Sequence, residues 1–176
     1  MDPSEVIDRL KNQFGEQVVR ADLEAIDPWV EIEVESLAPI ARFLREEPEL
    51  SFDYLHCISG VDYLEQDPKK LKKIDWEPHF ELLYHLSSIK HKHRIVLRLV
   101  LPRWQDDAEG RLLEVATVSD IWRTADWHER EVYDLCGVRF TDHPDMRRIL
   151  CPEDWAGHPL RKDYVQPDEY HGIRTT

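Results

Sequence analysis

The most restrictive feature of the chain is a pair of runs in which apolar residues fall at every second position. His79 to Ser87 sets Phe80, Leu82, Tyr84 and Leu86 on one side, and Arg94 to Leu101 does the same with Ile95, Leu97, Leu99 and Leu101 before Pro102 stops it. Successive side chains of a strand point to opposite faces, so this period predicts two strands, each with one face on a core. Between them His91 and His93 alternate with Lys90, Lys92 and Arg94, which reads as a solvated hairpin turn and not as a cation site.

Local signals place the other elements. Asp2-Pro3-Ser4-Glu5 reads as a helix start, with Asp2 as N-cap, Pro3 at the first helical position and Glu5 at the third. Val6, Leu10 and Phe14 continue at helical spacing and Gly15 ends the run. Gln17-Val18-Val19 is a short first strand. Val30 to Glu35 alternates apolar with acidic residues, which predicts a strand with one face on the core and one in water. Ser36 caps a second helix carrying Leu37, Ile40, Phe43 and Leu44, which Pro48 ends. Tyr54 to Leu64 is a further strand. The charged, Pro-bounded stretch after it, including Lys69-Lys70-Leu71-Lys72-Lys73, is a solvated loop. From Thr117 to Cys136 the pattern turns helical, with a bend near Ala125-Asp126 and Gly137 as its stop. These elements make an α+β fold: a mixed, mainly antiparallel sheet of four or five strands packed by helices.

Residues 138–176 have a different character. Pro144, Pro152, Pro159 and Pro167 leave no stretch long enough for a substantial helix, so an extended, irregular C-terminal arm follows an α+β domain of residues 1–137. Phe140, Met146, Ile149, Leu150, Trp155, Leu160 and Tyr164 are scattered through the arm and need a surface to lie on. Part of that surface is the chain's own domain, and the rest belongs to another protein.

Composition narrows the function classes. The 176 residues carry 23 Lys and Arg against 36 Asp and Glu, a net charge of -13, which argues against nucleic-acid binding and against docking on anionic lipid. The acidity is uneven. Residues 1–55 hold 5 basic and 14 acidic side chains, whereas residues 139–164 hold 5 of each. With 41% hydrophobic residues a packed core is within reach. Cys57, Cys136 and Cys151 form no C-x-x-C pair, so neither a zinc knuckle nor a conventional iron–sulfur cluster can be built from this chain. There is no apolar secretory h-region and no run of about 20 apolar residues to span a membrane, and a reduced, intracellular protein is expected.

The densest chemistry lies in Trp127-His128-Glu129-Arg130-Glu131-Val132-Tyr133-Asp134. Arg130 and Asp134 stand four apart on a helix and can pair. An acid–base reading would set Glu131 beside His128, but the zinc-hydrolase pattern fails because Val132 occupies the place of the second histidine. The deaminase pattern lacks its P-C-x-x-C partner. Two His-Pro sites follow: His143-Pro144 leads to Arg147-Arg148, and His158-Pro159 leads to Arg161-Lys162-Asp163. Each makes a stiff turn that presents two cations, either to Glu129, Glu131 or Asp134 or to a neighbouring protein. With 6 thinly spread glycines no phosphate loop is possible, and no nucleophile constellation is present.

Together with Gly137-Val138-Arg139-Phe140, Arg147-Arg148-Ile149-Leu150 and Gly157 to Tyr164, this window resembles the family of the C subunit of the proton-pumping NADH:quinone oxidoreductase, respiratory complex I. The match is strongest over residues 120–170, and Ile58-Ser59-Gly60-Val61-Asp62-Tyr63 adds to it. Cys136 departs from the pattern, standing where a larger apolar residue is usual. The resemblance implies a peripheral-arm subunit with no catalytic, cofactor-binding or metal residues of its own. Flavin mononucleotide, iron–sulfur clusters and quinone would be held by partner subunits, and the chain would pack against the D-like and B-like subunits. It further implies attachment to the cytoplasmic face of the bacterial inner membrane through the complex. Glu129, Arg130, Glu131, Asp134, His143, Arg147, Arg148, His158, Arg161, Lys162 and Asp163 would serve structure and docking. The equivalent chains of membrane-bound hydrogenases and of ferredoxin- or deazaflavin-fed complexes share part of the pattern. A small stand-alone enzyme using His128 and Glu131 is the reading from a different class.

Overall fold

The computed structural model describes residues 1–175. Its centre is the expected hairpin: strands β4 (His79–Ser87) and β5 (Arg94–Leu101) pair antiparallel from Phe80 opposite Leu101 to Ser87 opposite Arg94. Their eight alternating apolar side chains all point into one core. The connection between them is not fully solvated. His93 is buried, stacks on Phe52 at 4.6 Å and donates through Nε2 to the Leu50 carbonyl at 2.6 Å, which holds the turn against the chain after the second helix.

Strand β3 (Tyr54–Tyr63) flanks β4, and β2 (Trp29–Ile32) flanks β5 in parallel, with β1 (Val18–Asp22) at the far edge, giving the order β1-β2-β5-β4-β3. Helix α1 (Pro3–Phe14) starts at the capping box formed by Asp2 and Glu5, and α2 (Leu37–Glu46) begins after Ser36, which makes no side-chain cap bond. Val6, Ile7 and Leu10 of α1 and Leu37, Ile40 and Leu44 of α2 join the inward strand residues in one cluster. The acidic stretch from Val30 departs from expectation in two ways. The strand stops at Ile32, and Val34–Ser36 winds into a 3-10 turn. Glu31 is buried, because the outer face of the sheet carries its own polar layer.

The loop between β3 and β4 contains one exposed helical turn, α3 (Pro68–Leu71), capped by Asp67. The helix expected from Thr117 begins only at Ala125: α4 (Ala125–Cys136) is preceded by tight turns over residues 118–124. Glu129 accepts the Val118 N–H at 2.7 Å and so ties these turns to the helix that follows them. A short strand missed in the sequence, β6 (Leu113–Ala116), pairs in parallel with β7 (Val138–Thr141). The segment beyond residue 137 therefore opens with a core strand, since Val138 and Phe140 are buried in the same cluster. Thereafter it is irregular up to a small closing hairpin of β8 (Glu169–Tyr170) and β9 (Ile173–Arg174).

Gly137 ends α4 in the left-handed conformation at φ 73°. A Cβ there would stand 2.7 Å from the His158 ring, so the arm passes over the helix end at a distance only glycine allows. Gly137→Ala is expected to cost about 2 kcal/mol, about half from the left-handed backbone and half from the overpacking. A thermal melt should show the loss, and an unshifted midpoint would contradict it.

Candidate docking site

Helix α4 is the plank to which the arm is fastened, and Asp134 is the main fastening. Its Oδ2 accepts three successive backbone N–H groups, from Ile149, Leu150 and Cys151, at 3.0, 2.7 and 2.7 Å. Its Oδ1 takes the Arg148 guanidinium at 2.6 Å. Burial pushes the Asp134 carboxyl up, but the Cys151 N–H, the Arg148 guanidinium and the other two N–H groups outweigh burial and hold it below the usual carboxylate range. Arg148 uses its other nitrogen on the carbonyls of Trp155 and Gly157, both at 2.9 Å, so one ion pair fixes two turns of the arm. His158 donates to the Asp134 carbonyl at 3.0 Å, and Leu160 N–H to that of Leu135 at 2.8 Å.

A second fastening lies one strand away. Asp62 on β3 receives the Arg103 guanidinium through two bonds at 2.7 and 2.8 Å and the Lys162 N–H at 2.9 Å. Arg103 also reaches Asp163 at 3.0 Å. Arg161 is buried: it lies 3.6 Å from the Trp104 ring centroid, donates to the Arg103 carbonyl at 2.9 Å and pairs with Asp163 at 3.2 Å. Asp62, Arg103 and Trp104 went unseen as site residues in the sequence. The only signal was Asp62 within the Ile58–Tyr63 run, because pairing across 41 residues leaves no local trace.

The remaining motif residues divide cleanly. Arg130 does not pair with Asp134; it turns to the carbonyls of Arg147 and Arg148, both at 3.3 Å, and to Asp145 at 3.7 Å. Asp134 is already saturated by the arm. His143 is buried beneath the first His-Pro turn, accepts the Asp145 N–H at Nδ1, donates to the Asp126 carbonyl through Nε2, each at 3.0 Å, and stands 3.9 Å from Glu129. Glu129 is fully buried and also receives the Thr117 hydroxyl; burial pushes its carboxyl up to about 7. Arg147 pairs with Asp145 at the surface, and the Lys162 side chain is exposed. Glu131 is exposed as well, and its nearest cation partner is His128 at 3.9 Å.

That last distance bears on catalysis. His128 and Glu131 lie one turn apart on α4, at a distance too long for a hydrogen bond. Burial pushes the Cys136 thiol up to about 12, which leaves it a packing residue against Gly60 and not a nucleophile. Among the described residues no group of three His, Cys, Asp or Glu side chains is placed to hold a metal ion. Among the same residues, no helix is long and apolar enough to cross a membrane.

Among the exposed residues of the arm and of α4 are four large apolar ones: Trp127, Leu150, Leu160 and Val165 are 66%, 63%, 59% and 84% exposed. Fold and site together define an α+β body with a strapped arm. The chain belongs to the family described as respiratory-chain NADH dehydrogenase, 30 kDa subunit, whose model matches residues 30–170. It is 40% identical to the C subunit of the NADH-quinone oxidoreductase of Chloroherpeton thalassium over 94% of this chain, and spans 62% of that relative's length. The Chlorobium phaeobacteroides protein of the same name is 38% identical over 95% of this chain and 91% of the relative. Among solved structures, the trypsin-resistant fragment of Nqo5 superposes with a TM-score of 0.60 at 26% identity, covering 82% of this chain and 99% of the fragment. A chain of an archaeal membrane-bound sulfane sulfur reductase shares the fold, with a TM-score of 0.69 at 23% identity over 94% of this chain and 86% of that one.

Proposed function

We propose that the chain is the non-catalytic peripheral-arm subunit of a proton-translocating NADH:quinone oxidoreductase. Its role is to hold the path of electrons to the quinone site in place. The observation that carries this is the division of labour in the arm: Asp134 and Asp62 bind its polar groups to the body, while Leu150, Leu160 and Val165 stay outward. A segment stiffened at no expense to its apolar side is preorganised for a partner. With the core strand β7 counted in the body, the docking arm begins after Thr141, and its partners are the D-like and B-like subunits. Flavin mononucleotide, iron–sulfur clusters and quinone reside in other subunits, and the complex stands on the cytoplasmic face of the inner membrane.

In this reading Glu129, Arg130, Asp134, His143, Arg148, His158, Arg161 and Asp163 shape the arm, and Glu131, Arg147 and Lys162 face the partner. A Leu160→Asp variant tests it, because residue 160 is outward and tolerates the change in the free chain. The variant should melt as the wild type does but bring down the D-like subunit from solubilised membranes at least about tenfold less well. Undiminished recovery would refute arm docking. The purified chain should be colourless and without NADH oxidation, and a stoichiometric flavin or iron–sulfur absorption would refute the non-catalytic assignment.

A further inference from the structure

At the start of α4, the end away from Asp134, the surface dips into a hollow that the arm does not explain. The last turn of α2, the first residues of β3 and the tight turns before α4 enclose about 260 Å³ there. Leu55, Ile121 and Trp122 are the buried part of its lining, and Tyr54 stands 44% exposed at its edge. Arg45 and Arg123 line it as well.

These two arginines differ from most of the others in the chain. Of the fifteen arginines, eleven pair with a carboxylate. Arg45, Arg123, Arg139 and Arg174 form no ion pair among the described residues, and two of these four meet at this one hollow. Both can be reached from outside, since Arg123 is exposed and Arg45 half-buried. The carboxylates nearby are engaged. Asp53, the acidic residue of the lining, accepts the Ile89 N–H at 2.8 Å, and Asp120 and Glu46 share Arg42 at 2.6 and 3.6 Å. Two free guanidinium groups against one occupied carboxylate select an anion, on a chain whose net charge is -13.

The apolar lining narrows the choice. An inorganic anion would use the guanidinium groups and leave that lining without a partner. An anionic membrane is repelled by the rest of the chain. A protein segment with an apolar side chain next to Asp or Glu uses both, and arginine and tyrosine around a small pocket are what interface hot spots are made of.

We propose that this hollow receives such a pair from a neighbouring subunit. The apolar side chain lies against Tyr54 and Trp122, and the carboxylate stands between Arg45 and Arg123, whose planar forks suit it. Membership of the family places the chain among other subunits, and the proposal needs that membership but no part of the arm reading.

The test uses the assembled complex with an unaltered arm. Thr124, exposed in the lining, is replaced by the photo-crosslinker p-benzoyl-phenylalanine, and the crosslinked peptide is sequenced. The expected product joins position 124 to a segment of another subunit that carries an apolar residue beside Asp or Glu. Adding Arg45→Glu and Arg123→Glu should lower its yield at least about fivefold, and changing the partner's carboxylate to lysine in that background should restore it. Lys11→Glu on the exposed side of α1 should leave the yield unchanged. The free double variant should melt as the wild type does; if it melts lower, Arg45→Gln with Arg123→Gln takes its place and should lower the yield likewise. Three results would overturn the proposal: no crosslink to another subunit, as for a hollow that holds solvent or a small anion; a crosslink to a segment without a carboxylate; or a yield indifferent to the loss of both arginines. A complex that assembles and fails these tests removes the hollow alone, whereas the Leu160→Asp result bears on the arm alone.

Discussion

Asp134→Ala is expected to detach the arm from a body that stays folded. The substitution strands three N–H groups and the Arg148 guanidinium around a site whose carboxylate was fully buried. Removing one member of a buried, hydrogen-bonded charge pair typically costs about 3–5 kcal/mol, because the remaining charge loses its partner and keeps its desolvation. Most of that free energy should appear as local opening, since α1, α2 and the five-stranded sheet make no use of Asp134. Amide exchange at Ile149, Leu150 and Cys151 should accelerate by about two to three orders of magnitude. Trypsin should then cut at Arg148 well before the body is attacked. If exchange at these three amides rises no faster than at Val96 in the central sheet, Asp134 is not the fastening.

The comparison with Asp62→Ala separates the two attachments. Asp62 sits on β3, and its partners Arg103 and the Lys162 N–H lie on the loop after β5 and in the arm. Its loss should free residues near 162 and leave the Ile149–Cys151 amides protected, because Arg148 and Asp134 are untouched. Burial raises the Asp62 carboxyl, but Arg103 and the Lys162 N–H together hold it below the ordinary range, so this link weakens only in strong acid.

These two carboxylates also mark the boundary between what was legible in the sequence and what was not. The hairpin β4–β5 could be read at once, because eight apolar residues at period two put one face of each strand on a core and a short polar stretch joins them. The capping box of α1 was equally plain, since its bonds close within three residues. Asp134 stood out through its window with two candidate partners: of Arg130 at i to i+4 and the Arg147-Arg148 pair of the first His-Pro turn, the structure gives the site to Arg148, 14 residues on. The helix start at Ala125 was hidden because residues 118–124 carry helical periodicity yet close as separate tight turns. The Val30–Glu35 strand predicts a water-facing side for Glu31, yet Glu31 is buried among Arg20 and Arg98, since alternation says which face is apolar and nothing about what the other face does with its charges.

Glu129 leads to the second large effect, on pH. Its carboxyl is fully buried in the folded chain; burial pushes it from 4.5 up to about 7, against the opposing bonds from Thr117 and the Val118 N–H. The folded state therefore holds this proton more tightly than the unfolded one. Its contribution to stability is complete below about 4.5, declines as pH rises, and is gone once pH passes about 7. At 1.36 kcal/mol per pKa unit the change amounts to about 3 kcal/mol. Glu129→Gln keeps the shape and an oxygen for the Val118 N–H but has no proton to lose. The difference in unfolding free energy between wild type and variant should thus shift by about 2.5 kcal/mol in the variant's favour from pH 5 to pH 8. Other groups act on both proteins alike. His158, His93 and His85 are held below their ordinary value, first by burial, and lose stability on acidification, the opposite direction. Urea titrations of the two proteins across that range give the difference directly, and a flat difference would mean that Glu129 is ionised inside the fold.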